Sequence, residues 1–123
     1  MQKLVILLTY SALLLLTSCE LNDYPYVRIK TPTKGQVFNA PGVIKIEAEF
    51  QSGDAIANED LIVIKVNATN NTILHNTGQG WRGNQMVHII DSFISEPATK
   101  YKIIASGVGG SGWSYDSIVV STN

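Results

Sequence analysis

Only one cysteine, Cys19, occurs in the 123 residues, so no disulfide within the chain can staple it. Charged residues are scarce as well, at 15%, and they balance to a formal charge of −1. That leaves neither a basic field for a phosphate backbone nor an acidic tail, and no nucleic-acid partner is expected. No apolar run approaches the ~20 residues that a bilayer-spanning helix requires. The longest, Leu4 to Leu16, has 13 residues and is interrupted by Thr9, Tyr10 and Ser11. A sustained helical period is missing too, because stretches such as Leu61 to Val66 are short and β-branched. The length suits one small domain and excludes a multidomain enzyme.

What is present begins with a segment that is not fold. Met1 to Lys3 carries one positive charge ahead of the apolar run, the pattern of a secretory signal. The run ends in Leu16-Thr17-Ser18-Cys19, which resembles the lipobox of bacterial lipoproteins: a branched apolar residue, two small residues, then the cysteine. The resemblance implies a signal peptide over residues 1–18, with Cys19 as the thiol that accepts a diacylglyceryl group and, with it, palmitate-like acyl chains. Residues 19–25 then form the lipidated cysteine and a short tether, and 26–123 the domain. Lipidation also consumes a thiol that would otherwise be unpaired in an oxidising compartment. At about 0.8 kcal/mol per buried CH₂, two or three acyl chains anchor a protein firmly without spanning the membrane. Glu20, not an aspartate, follows the cysteine. By similarity to sorting in Gram-negative bacteria this implies the outer membrane, with the periplasmic and surface-facing sides both open.

From Tyr26 onward apolar residues recur at every second position. The clearest run is Val43 to Phe50, where Ile44, Ile46, Ala48 and Phe50 share one face against Lys45, Glu47 and Glu49. This is the pattern of a half-buried antiparallel strand. Comparable stretches are Tyr26 to Thr31, Leu61 to Asn67, Thr72 to Asn76, Met86 to Ile94, Lys100 to Ser106 and Trp113 to Ser121. Glycine, proline, asparagine and aspartate punctuate the gaps. About seven short strands in roughly 100 residues predict an all-β fold, an immunoglobulin-like sandwich, with a closed barrel as the alternative.

The same residues resemble a single bacterial Ig-like domain, cadherin-like or fibronectin-like, of the kind carried by short Gram-negative lipoproteins without an assigned activity. The likeness rests on Val27 to Phe38 as an opening strand with a Pro-x-x-Gly turn, on Ile44 to Phe50, and on Lys100 to Ala105 and Asp116 to Val120 as the last two strands. It implies that Tyr101, near the start of the penultimate strand, forms the tyrosine corner of such sandwiches. Where relatives use an acidic loop for calcium, this chain has Asp54, Asn58, Glu59 and Asp60, but it lacks the dense Asp-x-Asn-Asp-Asn pattern. No metal and no cofactor is expected.

Catalytic chemistry finds little purchase. His75 and His88 lie 13 residues apart in expected strands and form no zinc motif. Trp113 stands where a Gly-x-Ser-x-Gly elbow around Ser111 would need its second glycine. The glycines of Gly107 to Gly112 precede a strand, not a helix with Lys-Ser or Lys-Thr, so they read as a hairpin loop. No catalytic residue is assigned. Asp116-Ser117-Ile118 resembles an O-glycosylation acceptor triplet, although a triplet recurs readily by chance.

The aromatics are more informative. Alternating strand directions bring the expected loops 51–60, 77–85 and 107–112 to the end where the chain enters, placing Trp81, Arg82, Trp113 and Tyr115 near one rim. Three readings apply to them. They cover the open end of the core, they stack on a sugar with Arg82 or Asn84 bonding its polar groups, or they meet lipid headgroups beside a tether of at most about 20 Å. The function expected is a membrane-anchored, non-enzymatic binding or structural module at the cell envelope. Its partners are the membrane through the anchor, and another envelope protein or a glycan. The alternative is a carbohydrate-binding accessory lipoprotein.

Overall fold

The computed structural model describes residues 25–52, 55–66, 71–78, 80–82, 86–109 and 112–123, with 55–57 and 81–82 described through their backbone alone. The signal segment, Cys19 and the tether up to residue 24 lie outside the described residues, as do Asp54, Asn84 and Ser111. Nine strands and no helix run through the described part.

Alternation builds the first sheet. In β3 (Gly42–Gln51), Ile44, Ile46, Ala48 and Phe50 are buried, while Val43 and Lys45 face solvent. β3 pairs antiparallel with β1 (Tyr26–Thr31) on one side and β7 (Val87–Ser95) on the other. Burying side chains the size of Ile46 or Phe50 stabilises by about 1.5–3 kcal/mol each, the drive that fixes this register.

After β1 the chain changes sheets. Gly35 adopts φ 78°, a left-handed conformation that favours glycine, and its N–H donates to the Val119 carbonyl at 2.9 Å. β2 (Val37–Phe38) then runs parallel to β9 (Gly112–Thr122). The second sheet continues through β8 (Lys100–Gly109) and β4 (Ala55–Lys65) to β5 (Thr72–Thr77), with β6 (Trp81–Arg82) also paired to β4.

The two inner faces meet in one core. Ile44, Ile46 and Phe50 of the first sheet belong to the same buried cluster as Leu61, Val63, Ile103 and Val120 of the second. Tyr101 is fully buried, with its ring 4.8 Å from that of Phe93 at 60°. Its hydroxyl accepts the backbone N–H of Glu96 at 2.7 Å, five residues upstream, which is the corner the sequence implied. The sandwich follows from this two-layer arrangement, and the closed barrel does not apply.

All seven expected strands are present, with shifted limits. β4 starts at Ala55 instead of Leu61, because its first half pairs with β8 from Ile56↔Gly109 onward. Asn58, Glu59 and Asp60 are therefore strand residues and not an acidic loop. β8 and β9 likewise extend to Gly109↔Gly112, which shrinks the expected glycine loop to its tip.

Candidate functional site

Residue parity along β9 places Trp113, Tyr115 and Ser117 on the outer face of the second sheet, opposite Val108, Ser106 and Ile104 of β8. Trp113 is 62% exposed and Tyr115 58%, and their rings stack with centroids 5.3 Å apart at 22°. Val108, directly across from Trp113, is also exposed. Together they form an exposed apolar cluster next to the β8–β9 hairpin. These two side chains point away from the core, so the core-cover reading does not hold for them.

The structure does not bring Trp81 and Arg82 onto that surface. Their strand β6 pairs with Ile56 and Ala55 of β4, at the same end of the sheet. From β6 to β9 is three strand spacings, about 14 Å. The four aromatic and basic residues thus share an end of the sandwich but divide into a stacked pair and a separate two-residue strand.

The histidines occupy outer faces. His75 Nε2 lies 3.3 Å from Asp60 Oδ1 and 3.3 Å from Thr77 Oγ1, while Thr77 donates to the same Asp60 oxygen at 2.8 Å. A nucleophile relay needs the acid at one ring nitrogen and the nucleophile at the other. Here both meet at Nε2, so the cluster is a surface hydrogen-bond network. His88 Nδ1 lies 3.3 Å from Glu47 Oε1, beside the pair of Lys30 and Glu49 at 3.0 Å. That pair holds the Lys30 ammonium above its ordinary range, through the hydrogen bond and the charge of Glu49. Among the described residues no group of three His, Cys, Asp or Glu is placed to hold a metal ion. Ser117 of the acceptor-like triplet is half-buried in a paired strand.

One site was not anticipated. Between β5 and β7, on an open side of the sandwich, a groove of about 610 Å³ is lined by Glu59, Asn76, Gly78, Gly80, Met86 and Ile90, among others. Glu59 sits at its base, only 2% exposed. Its Oε1 accepts the Gly80 N–H at 3.3 Å, while Oε2 is buried without a hydrogen-bond partner. Burial is the main reason its carboxyl is pushed above the ordinary value of 4.5. A Cβ at position 78 would fall 1.9 Å from Oε1, so any other residue there would push the Glu59 side chain out of this position. The parity of Glu59 with Leu61 and Val63 becomes visible only once β4 is known to start at Ala55.

The two layers define an immunoglobulin-like β-sandwich, and a solved structure agrees on that fold. The solution NMR structure of the CARDB domain of PF1109 from Pyrococcus furiosus is similar at TM-score 0.53 and 12% identity, over 81% of this chain and 98% of that one. A β-glucosidase from Listeria innocua in complex with glucose shows a weaker likeness, at TM-score 0.47 and 10% identity, over 79% of this chain and 16% of the enzyme. No family model and no curated protein matches the sequence.

Proposed function

We propose that this chain is a lipid-anchored protein of the cell envelope, held at the outer membrane through Cys19, that presents one Ig-like sandwich as a non-enzymatic binding module. The observation that carries the binding role is the exposed Trp113–Tyr115 stack. Apolar aromatic surface left in water on a sheet face, when the core is already filled by Phe50, Phe93 and Tyr101, is surface suited to contact. The anchor rests on the lipobox-like Leu16-Thr17-Ser18-Cys19.

The near-parallel stack leaves the outward ring faces in water, and this favours a glycan as the contact, since an exposed aromatic face accepts the apolar face of a sugar ring. The test has two parts. Intact mass of the detergent-extracted protein from a Gram-negative host is expected to show loss of residues 1–18 and acyl mass on Cys19, both absent in Cys19→Ala. Binding of the full chain to a glycan array and to lipid vesicles is then compared with that of Trp113→Ala. Loss on the array supports the glycan reading, loss on vesicles points to headgroups, and retained binding on both removes the aromatic pair from the proposal.

A further inference from the structure

The groove around Glu59 has the features of a built binding site. The Glu59 side chain lies against Gly78, and the Gly80 N–H donates to Oε1, which settles the carboxyl at the base of the groove. Oε2 remains without a partner in a nearly fully buried side chain, an arrangement that costs stability unless something supplies a donor. Among the described lining residues there is no lysine or arginine, and His88 is turned to Glu47, 3.3 Å away. The nearest additional charge on the same strand is Asp60, which is also acidic. Beside the polar side chains of Asn76 and His88, the walls offer apolar surface from Met86, Val87, Ile89 and Ile90, and Met86 and Ile90 are exposed at 42% and 72%.

These features select a ligand class. A calcium-like ion needs six or more oxygen ligands, and Glu59 is the one carboxylate among the described lining residues. A sugar ring would look for an aromatic face, and no phenylalanine, tyrosine or tryptophan stands among the described lining residues. A cation on an apolar stem satisfies both parts of the groove. We propose that this groove binds an alkylammonium or guanidinium group, whose charge pairs with Glu59 Oε2 while its methylenes lie against Met86 and Ile90.

Two sources offer that chemistry. One is a free amine. The other is a basic side chain of an extended peptide laid along β7, which among the described residues pairs only with β3 and leaves its other edge open beside the groove. The site is independent of the Trp113–Tyr115 surface, and its test does not involve those residues.

The experiment titrates the full chain, in non-ionic detergent, with butylammonium and follows the amide resonances of Gly78, Gly80, Val87 and Ile90. A saturable shift is expected with butylammonium and none with butanol, and Glu59→Gln is expected to weaken binding tenfold or more. A blocked lysine-containing hexapeptide is run in parallel. Binding at least tenfold tighter than butylammonium assigns the cation to a peptide on β7, and equal or weaker binding assigns it to a free amine; either result upholds the site. Ile90→Lys alters an exposed side chain and places a tethered ammonium over the groove, so it should abolish butylammonium binding even if Glu59→Gln does not fold. Absence of saturation with both cations, equal affinity in Glu59→Gln, or unchanged affinity in Ile90→Lys overturns the proposal.

Discussion

Asp116 of β9 accepts the backbone N–H of Ile29 in β1 at 2.9 Å, joining residues 87 positions apart and tying the two sheets along one open side of the sandwich. The opposite side carries an equivalent tie, from Asn76 of β5 to Asp91 of β7 at 3.0 Å. Both aspartates occupy inner-face positions of their strands, where an apolar residue would be the default. The polar side chains there close the lateral gaps that two twisted sheets leave, and they do so with charge-assisted bonds.

Replacing Asp116 by alanine strands the Ile29 N–H at the sheet edge. The expected loss is about 1–3 kcal/mol, the cost of an unsatisfied buried donor. Asp116→Asn keeps an acceptor oxygen and should lose about half as much. Urea unfolding of the three proteins checks this; equal midpoints would mean that water replaces the carboxylate without penalty.

Tyr101→Phe separates the corner hydrogen bond from the packing. The ring keeps its tilted contact with Phe93, but the Glu96 N–H loses its acceptor at the turn between β7 and β8. A loss of about 1 kcal/mol is expected. The unfolding midpoint should fall with an unchanged denaturant slope, because the compactness of either state is not altered.

Much of this fold is legible because strand alternation is a local signal. Val43 to Phe50 declares its faces without help from any other segment, and so do Lys100 to Ser106 and Trp113 to Ser121. The first half of β4 is different. Asn58, Glu59 and Asp60 are poor strand formers, and they extend only because β8 supplies partners from Gly109 to Ser106. β2 and β6 are two residues each, too short for any period to show. The end of the sandwich that carries Trp113 could be read from strand direction. That Trp113 and Tyr115 lie on the sheet face and not in a loop required the register of β8 against β9. The Glu59 groove was illegible for the same reason, since a residue assigned to a loop has no inward parity to notice.

Glu59 should make stability depend on pH in a defined direction. Burial first, then neighbouring Asp60, raises its carboxyl pKa in the folded state, against the lowering effect of the Gly80 N–H. The folded chain therefore holds a proton at pH values where the unfolded chain has released it. Stability from this group falls as pH rises through that window and returns on acidification. Glu59→Gln keeps the acceptor for Gly80 and removes the buried charge. It is expected to melt higher than the parent at neutral pH, and the difference should narrow as acidification protonates the parent carboxyl. His88 borders the groove but pairs with Glu47, so His88→Gln should leave this difference in place. Parallel melting curves at all pH values would remove burial of the charge as the cause.

Trp113 and Tyr115 separate contact surface from structural surface. A side chain that is more than half exposed contributes little by burial, and its stacked partner adds about 0.5–1.5 kcal/mol at most. Trp113→Ala should therefore shift the melting temperature by only a few degrees. Phe93→Ala, which opens a cavity beside Tyr101, should cost about 3–5 kcal/mol. If Trp113→Ala proved as damaging as Phe93→Ala, the stack would be a structural element and its exposure would carry no functional meaning. If it is mild, the aromatic surface is free to be used, because the fold does not depend on it.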